Sequence, residues 1–437
     1  MINRPYFTIA AAFAALLGIF HASPALADDD GVITYRVAQG DTLIGLASKY
    51  MLDERSVEIV RQLNRVDHPT KMQTGTMLRI PRAQLRSVPV LLRVQNATGP
   101  VTLITGGARA PALRGATVKQ GMEIETGRKG FVALVGTRGA LVTLPSRSHA
   151  RLRSAKRYVI NNALDIDFEI ISGRSSIRAP KLRSQERFRT RTPVAVSAVR
   201  GTEFRVGFDP DTALATTEVV EGAVVISDDA AQATAPAGFG VTANPLGVKQ
   251  PEALLPPPAM ESPSRLQTSK LTEFTVVPMS GATAYRMQIG ADAGFVEIVD
   301  EQLIQSSTAQ FTDLANGRYF VRTSAVAESG LEGLSQVHSF RRQQLGVSAH
   351  VEKSALANGF KFAWAGEAEG DVLYAFQLWD TRAPHALLVD ELGMQGTSMV
   401  LTDLDTGKYA WRVAALQMQD EGLVKIWSDP QTLSVDD

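Results

Sequence analysis

The last part of the chain repeats itself at a constant spacing of 90 residues. Self-similarity at a fixed period indicates one structural unit copied in tandem. We therefore expect residues 265–343 and 346–435 to form two copies of one fold. The pairs that share this spacing are Phe274 with Trp364, Asp300 with Asp390, Thr312 with Thr402, Tyr319 with Tyr409, and Arg322 with Arg412.

Each copy combines alternating strand patterns with the motif L-x-x-G-x-Y, at residues 314–319 and 404–409. The motif is similar to the tyrosine corner of fibronectin type III and immunoglobulin-like sandwiches. The resemblance implies two tandem fibronectin III-like β-sandwiches.

Three tryptophans of the second copy allow two interpretations. Trp364, Trp411 and Trp427 could form a platform on which sugar rings stack, or they could pack in the core. Tyr409, Trp411 and Val413 are spaced two residues apart, so they share one face of a strand. We therefore favour core packing.

Residues 190–227 carry the clearest strand pattern of the central region. Their β-forming residues alternate with polar ones, which predicts strands of a half-buried sheet. These β-formers include Val194, Val196, Phe204, Val206, Phe208, Val220, Val224 and Ile226.

The glycine-containing segments of the same region follow a recognisable order. Arg-Gly-Thr-Glu-Phe occupies 200–204 and Glu-Gly-Ala-Val occupies 221–224, after Gly-Met-Glu-Ile-Glu-Thr-Gly at 121–127 and Ser-Gly-Arg at 172–174. This series resembles the FecR domain. The resemblance implies an all-β domain over residues 86–247, of a family named after a membrane-spanning regulator that relays a signal to a sigma factor.

Arg200 and Glu203 lie beside a glycine turn of this region, and we expect them to serve the fold rather than catalysis. Glu203 is on the strand face opposite Phe204, where a cross-strand partner is expected. A ligand-binding role is the alternative.

Asp165, Asp167 and Glu169 alternate along another predicted strand. Three carboxylates on one edge could hold calcium, which takes oxygen ligands. However, no glycine turn wraps them, and side chains two apart on a strand are about 7 Å apart. A solvated face opposite nearby arginines is the favoured interpretation.

Residues 33–82 have the order strand, helix, helix, strand. A strand around Tyr35 leads to a helix that ends near Tyr50, with Asp41 or Thr42 as its N-cap. A second helix ends near Asn64, and the last strand reaches Pro81. The motifs Y-x-V-x-x-G-D-T-L, I-A, L-N and G-x-x-L-x-I-P closely resemble a LysM domain, which implies a βααβ fold that binds N-acetylglucosamine-containing glycans such as peptidoglycan.

In LysM domains the glycan lies in a shallow groove between the loop after the first strand and the loop after the second helix. Gly40 and Asp41 also suit the turn, and Asn64 also suits a helix C-cap, so a structural role is the alternative for these three. The residues for which the resemblance implies glycan contact are Gly40, Asp41, Thr42, Leu43, Asn64, Arg65, Val66 and Asp67.

The first 27 residues have the pattern of a secretory signal peptide. Arg4 supplies the positive charge, residues 7–20 are apolar, and Ala-Leu-Ala at 25–27 is a cleavage site. The apolar segment is short for a membrane helix; an uncleaved anchor is the alternative. We expect a soluble periplasmic protein that begins near Asp28.

Basic and acidic residues are equal in number at 45 each, but they separate along the chain. Residues 146–205 contain 14 basic and five acidic residues, whereas residues 264–437 contain 13 and 22. Basic stretches often bind nucleic acid, but export disfavours that partner. A solvated basic face is the favoured interpretation, and contact with an anionic envelope polymer is the alternative.

Residues 248–264 contain three consecutive prolines, at 256–258, and predict a linker. Proline runs are extended and semi-rigid. We therefore expect a spacer that keeps the two sandwiches away from the glycan-binding module.

The sequence lacks the patterns of most wall-cleaving enzymes. Cysteine is absent, which excludes disulfides and a thiol nucleophile. No H-E-x-x-H, G-x-S-x-G or P-loop motif occurs. The sequence does not exclude paired-carboxylate glycosidase chemistry, because that chemistry needs only two acidic residues at the right separation. The histidines after the signal peptide stand apart, at His68, His149, His338, His350 and His385.

We therefore interpret the chain as a non-enzymatic periplasmic adaptor that needs no cofactor. Its LysM-like module would bind peptidoglycan, while the FecR-like and sandwich domains bind a protein partner. The first alternative is a soluble sensor in FecR-type envelope signalling, and the second is a peptidoglycan hydrolase.

Overall fold

Strands dominate the structure, a computed structural model that describes residues 31–199, 201–261, 266–419 and 422–436. The mostly β fold class predicted from the sequence is confirmed.

Two of the sequence predictions lie outside the described residues, namely the signal peptide at residues 1–27 and the structural role of Arg200. In the part of the chain that is described, no helix is long and apolar enough to cross a membrane. The chain divides into two compact units, the first ending at Arg86 and the second beginning at Ser87.

The first unit has the predicted βααβ order, and its two strands pair antiparallel along their whole length. Thr42, rather than Asp41, is the N-cap of the first helix, because its hydroxyl accepts a hydrogen bond from the Gly45 N–H at 3.0 Å. Ile33, Val60 and Ile80 pack in the core between helices and strands. The elements are β1 (Val32–Arg36), α1 (Leu43–Tyr50), α2 (Arg55–Asn64), β2 (Met77–Pro81) and a short 3-10 helix (Arg82–Gln84).

The second unit begins with the central domain, residues 87–253, which encloses a single apolar core. Its strands are β3 (Ser87–Pro89), β4 (Leu92–Thr98), β5 (Val101–Thr105), β6 (Ala108–Pro111), β7 (Thr117–Val118), β8 (Glu123–Thr126), β9 (Phe131–Val135), β10 (Leu141–Leu144), β11 (His149–Tyr158), β12 (Leu164–Arg178), β13 (Arg187–Arg191), β14 (Val196–Val199), β15 (Glu203–Asp209), β16 (Leu214–Glu221), β17 (Ala223–Ser227), β18 (Gln232–Pro236), β19 (Phe239–Asn244), β20 (Gly247–Val248) and β21 (Glu252–Ala253). A short 3-10 helix spans Thr137–Gly139.

The long strand β12 joins the two sheets of the central domain. Its first half pairs with β11 and β13, and its second half pairs with β10 and β15. The strand crosses between the sheets at Gly173, which has a φ of +77°. A Cβ there would lie 2.5 Å from the carbonyl oxygen of Arg147, so only glycine fits the crossing.

The predicted solvated face of carboxylates on β12 is buried instead. Asp165 is 1% exposed, and its carboxylate lies 2.5 Å from Arg187 Nη2, while Asp167 lies 2.9 Å from Arg189 Nη2. Burial raises the pKa of Asp165, but hydrogen bonds from Arg187 and Tyr158 outweigh it and hold the pKa below its ordinary value. The expected arginines are present, but the expected solvation is wrong, because β13 runs parallel to β12 and places an arginine opposite each carboxylate. Arg187 and Arg189 are themselves largely buried in these ion pairs, so they do not belong to the solvated basic face that the charge pattern predicted.

Glu203 has the cross-strand partner that the sequence predicts. Arg178, directly opposite on β12, places Nη2 3.0 Å from the Glu203 carboxylate. In contrast, Val220 is exposed, because its neighbour Val219 occupies the core position of β16.

Two tandem sandwiches, residues 266–342 and 345–435, follow the central domain. In the first, the sheet β22-β28-β27-β24-β25 faces the pair β23-β26; in the second, the sheet β32-β31-β34-β35, with β36 on β34, faces β29-β30-β33. The strands of the first sandwich are β22 (Leu266–Gln267), β23 (Thr272–Thr275), β24 (Ala282–Gly290), β25 (Ile298–Ile304), β26 (Thr308–Phe311), β27 (Gly317–Ala327) and β28 (Glu332–Arg342). Those of the second are β29 (Leu345–Lys353), β30 (Gly359–Ala368), β31 (Leu373–Asp380), β32 (Leu387–Met394), β33 (Ser398–Thr402), β34 (Gly407–Gln419), β35 (Gly422–Trp427) and β36 (Gln431–Val435).

Both sandwiches contain the hydrogen bond of a tyrosine corner. The Tyr319 hydroxyl donates to the carbonyl of Ala315 at 3.1 Å, and the Tyr409 hydroxyl donates to the carbonyl of Asp405 at 2.7 Å. The tyrosine therefore bonds four residues upstream in each copy, as the shared motif predicts.

The tryptophans of the second sandwich do not form one platform. Trp364 and Trp411 pack in the core, as the favoured interpretation predicts. Trp427 lies on the other side of the sheet, because it pairs with Ala414, the neighbour of the core residue Val413.

Residues 254–261 pack against the first sandwich, so the prediction of a free spacer is wrong. Leu254 is buried, and the carbonyl of Leu255 accepts a 2.8 Å hydrogen bond from the N–H of Leu334. The Gln336 side-chain amide donates to the carbonyl of Pro258. These partners on β28 hold the segment in place.

A buried cluster of ion pairs, the Glu332 cluster, joins the central domain to the first sandwich. The Glu332 carboxylate lies 2.8 Å from Arg205 Nη1, 2.9 Å from Arg286 Nε and 3.4 Å from Arg174 Nη2. The Ser324 hydroxyl donates to it at 2.7 Å. Arg174 and Arg205 belong to the central domain, so each domain supplies part of the cluster.

Further contacts complete this junction. Glu218 of the central domain, which is 0% exposed, accepts from the backbone N–H of Glu332 at 3.1 Å. Lys129 pairs with Asp300 at 3.0 Å. Apolar contact comes from a small cluster that includes Phe131 and Phe295.

The arginines determine the protonation state of Glu332. Burial raises the pKa of its carboxyl, but Arg205, Arg286 and Arg174 outweigh burial and hold the pKa far below its ordinary value. A carboxyl whose folded pKa is depressed stabilises the fold above its unfolded pKa, about 4.3, and loses that effect as the pH falls towards the folded value.

We predict that Glu332→Gln lowers the free energy of unfolding at pH 7 by about 3–5 kcal/mol, because it leaves buried guanidiniums without their carboxylate. Chemical denaturation of the full chain measures this loss. The matched control is Glu203→Gln, which removes a partly exposed pair and should cost less than about 1 kcal/mol. Equal losses in the two variants would show that the cluster does not stabilise the junction.

Candidate functional site

Two loops meet at one end of the first unit. The first, residues 38–42, joins β1 to α1, and the second, residues 65–71, follows α2. The backbone N–H of Leu43 donates to the carbonyl of Pro69 at 2.7 Å, which ties the loops together. The structure therefore brings the two groups of predicted glycan-binding residues to one place.

The first loop is held by the side chain of Asp41. Its Oδ2 accepts hydrogen bonds from the Ala38 N–H at 2.7 Å and from the Tyr35 hydroxyl at 2.9 Å. Burial, together with this bond to Asp41, raises the pKa of Tyr35 to about 12. Gly40, at the exposed tip, has a φ of +84°, which suits glycine.

Two further predicted ligand residues, besides Asp41 and the N-cap Thr42, have side chains that serve the fold. Leu43 is fully buried in the core of the unit. The Asn64 amide donates to the carbonyls of Val60 at 2.8 Å and Arg79 at 2.7 Å, and its oxygen accepts from the Arg79 N–H at 2.7 Å. Leu43 and Asn64 thus position the loops, and their contact with glycan stays a prediction.

The second loop offers polar groups to solvent. Arg65 takes the left-handed conformation that ends α2, with a φ of 52°, and its side chain is exposed. Asp67 is also exposed, whereas Val66 is half-buried. The loop that Pro69 ties to Leu43 therefore exposes a guanidinium and a carboxylate, both of which can bond sugar hydroxyl and acetamido groups.

Ile44 was not among the predicted site residues, yet it lies beside the loops. It is 55% exposed in the first turn of α1, directly after Leu43. The sequence did carry a signal, because this is the position at which the LysM pattern has an apolar or aromatic residue. An exposed isoleucine there can pack against the apolar face of a sugar ring.

Across the residues that the structure describes, no group of three or more His, Asp or Glu side chains could hold a metal ion. The carboxylates of β12, which were candidates for calcium, are occupied by arginines.

Comparison with known families gives two matches along the chain. Residues 35–81 match the family described as LysM domain, and residues 122–225 match the family described as FecR protein. The comparison with curated proteins finds no match.

Similar solved structures cover parts of the second unit. A protein from Parabacteroides distasonis, assigned as an anti-sigma factor, is 16% identical over 30% of this chain and 59% of its own, with a TM-score of 0.26. The chain thus spans less than two thirds of that protein. A two-domain fibronectin type III segment of chicken tenascin is 13% identical over 41% of this chain and 99% of its own, with a TM-score of 0.22. The fibronectin(III)-like modules of Clostridium thermocellum CbhA are 16% identical over 40% and 90%, with a TM-score of 0.19.

The family matches coincide with the structural units described above. The LysM match covers the βααβ module and both of its loops, and the FecR match runs from β8 into β17. The tyrosine corners mark the two sandwiches that follow. The chain therefore carries a LysM domain at residues 35–81 and a FecR domain at residues 122–225, ahead of two fibronectin III-like repeats.

Proposed function

We propose that this chain is a non-enzymatic periplasmic adaptor that binds peptidoglycan through its LysM domain. The observation that carries the proposal is the LysM match over a module whose two loops lie side by side. LysM domains bind N-acetylglucosamine-containing glycans, and the signal-peptide pattern at residues 1–27 supports export to the compartment that holds them.

The loops explain how such binding would work. Gly40, Asp41 and Thr42 form one wall, and Arg65, Val66 and Asp67 form the other. Ile44 adds an apolar surface at the mouth. A single shallow, exposed groove gives affinity in the micromolar to millimolar range, about −4 to −8 kcal/mol.

The second unit supplies the adaptor's other part. The Glu332 cluster fixes the first sandwich on the central domain, so the two present one combined surface. The matched domains are binding and regulatory rather than catalytic, which supports a non-enzymatic role. We assign to this unit the binding of a protein partner in the envelope.

We predict that Ile44→Glu and Arg65→Glu each reduce co-sedimentation of the full chain with purified peptidoglycan sacculi by about tenfold or more. The first removes the apolar surface at the groove, and the second reverses its charge. Thr42 is less suitable, because loss of its capping hydroxyl would also destabilise α1 by about 1 kcal/mol.

The matched control for this experiment is Leu52→Glu. Leu52 is exposed like Ile44 but lies beyond the opposite end of α1. It should keep wild-type sedimentation, and circular dichroism should show the same fold in all three variants. If the Ile44 and Arg65 variants sedimented with sacculi as wild type does, the glycan would bind outside these loops.

The FecR match also favours a second candidate, a soluble sensor in envelope signalling. Co-purification of the tagged full chain from envelope extracts separates the two functions. The adaptor proposal predicts recovery of other envelope proteins without a membrane-spanning regulator. Stoichiometric recovery of such a regulator would instead support the sensor.

A further inference from the structure

The junction between the central domain and the first sandwich contains one more cation than it has carboxylates. On its partly exposed side, Lys129 pairs with Asp300. Arg178 pairs with Glu203 in the same way, so these charges balance. Farther in, three carboxylates are shared among guanidiniums from both domains, and the guanidinium of Arg322 is in excess. The inner charges are Arg174, Arg205, Arg286 and Arg322 against Glu218, Glu301 and Glu332.

Arg322 is held by neutral groups. Its Nε and Nη2 both donate to Gln288 Oε1, at 3.0 and 2.6 Å, and its guanidinium stacks on the Phe295 ring at 4.2 Å. Among the described residues, no carboxylate lies at ion-pair distance from Arg322, and its Nη1 donates no hydrogen bond. Removing a cation from water without a paired anion is unfavourable. An anion beside Arg322 would therefore stabilise the junction.

The pKa of Arg322 differs from that of its neighbour Arg174 in a way that fits this charge count. Burial acts to lower the pKa of Arg174, but Glu218 and Glu332 outweigh it and raise the pKa above its ordinary value. At Arg322 burial prevails and lowers the pKa to about 10. Arg322 is thus still charged at neutral pH, and the carboxylates of the protein do not fully compensate its charge.

The central domain contributes two hydroxyl groups to the same place. Thr143 on β10 and Ser176 on β12 are directly opposite each other in the sheet. Together with Arg322, these two residues line two small cavities of about 30 Å³ and about 20 Å³. Neither hydroxyl forms a hydrogen bond with the described residues, so each can donate its O–H to a group in a cavity. Hydrogen-bond donors from both domains therefore converge on one small space.

The size and the donors of the larger cavity limit what it can bind. A buried water needs about 10–15 Å³, so the cavity has room for about two waters or one monatomic anion, and not for the four oxygens of phosphate or sulfate. Water would accept the hydrogen bonds but would leave the charge of Arg322 uncompensated. A halide ion accepts the same hydrogen bonds and also supplies a negative charge.

We propose that the junction binds a chloride ion between Arg322 of the first sandwich and the hydroxyls of Thr143 and Ser176 in the central domain. The ion neutralises Arg322 and accepts hydrogen bonds from both domains, so it is a structural component that holds them together. This site lies within the second unit, and it does not depend on the proposed glycan binding by the first.

The test compares urea unfolding of the full chain in sodium chloride and in sodium gluconate at equal ionic strength. Urea is used because guanidinium chloride would itself supply the ion. Equal ionic strength keeps the screening of the other ion pairs constant, and gluconate is too large for the cavity. A ligand that binds only the folded chain stabilises it increasingly as its concentration rises. The urea midpoint of wild type should therefore rise as chloride replaces gluconate, and bromide should have the same effect.

Three variants locate the effect. Arg322→Gln removes the excess charge and should abolish the chloride dependence of the midpoint, whatever it does to the midpoint itself. Thr143→Val keeps the shape of the side chain but removes one donor, so the dissociation constant of chloride should rise by about tenfold or more. The matched control is Arg412→Gln in the second sandwich, where Arg412 Nη2 donates to Gln377 Oε1 at 2.8 Å as Arg322 does to Gln288. This control should keep the wild-type chloride dependence.

Two results would overturn the proposal. The first is the same urea midpoint for wild type in chloride and in gluconate, which would mean that the cavity takes water only. The second is a chloride dependence that persists in Arg322→Gln, or that is lost equally in Arg412→Gln. If Arg322→Gln fails to fold, Thr143→Val decides, because an unchanged dissociation constant in that variant would place the ion elsewhere.

Discussion

The carboxylate of Glu332 is the interaction on which the second unit depends. Two of the guanidiniums around it come from strands of the central domain and one comes from the first sandwich. Bringing these cations together out of water is unfavourable unless a carboxylate lies among them, and burying the carboxylate alone is equally unfavourable. Each domain therefore supplies the charges that the other needs, and few other docking arrangements would pair them all.

This junction also distinguishes the outer faces of the two sandwiches, although both have the same fold. The outer face of the first sandwich is used inside the chain, where Glu301, Arg286 and Phe295 contact the central domain. The second sandwich keeps the hydrogen-bonded Arg412 and Gln377, but it places Lys425 opposite Leu416 where the first sandwich places Glu332 opposite Val326. Without that carboxylate its face cannot form the same cluster. It presents exposed leucines and a methionine instead.

The features that could be predicted from the sequence are those set by residues close together in the chain. The βααβ order, an N-cap at Asp41 or Thr42, and the tyrosine corners all follow from residues close in the chain. The predictions that failed required the register between distant strands. Asp165 looked solvated because nothing local shows that β13 lies parallel to β12 with Arg187 beside it.

The candidate site shows the same division between local and tertiary information. The resemblance predicted which two loops form the groove, and the hydrogen bond from Leu43 to Pro69 places them together. It did not predict that the Leu43 side chain is in the core or that Asn64 is fully occupied by Arg79 and Val60, because both depend on the packing of α1 and α2 against β2. The sequence pattern carried a signal at Ile44, and the exposure of its side chain beside the loops added the reason to consider it.

In the proposed function, the chain binds glycan at the LysM loops while the second unit remains free to engage proteins. Hydrogen–deuterium exchange of the full chain, with and without a soluble N-acetylglucosamine oligosaccharide, tests it most directly. We expect slower exchange at the amides of residues 38–44 and 64–71 and no change in residues 87–436. Slower exchange within the second unit, with no change in the two loops, would show that the LysM loops are not the glycan site.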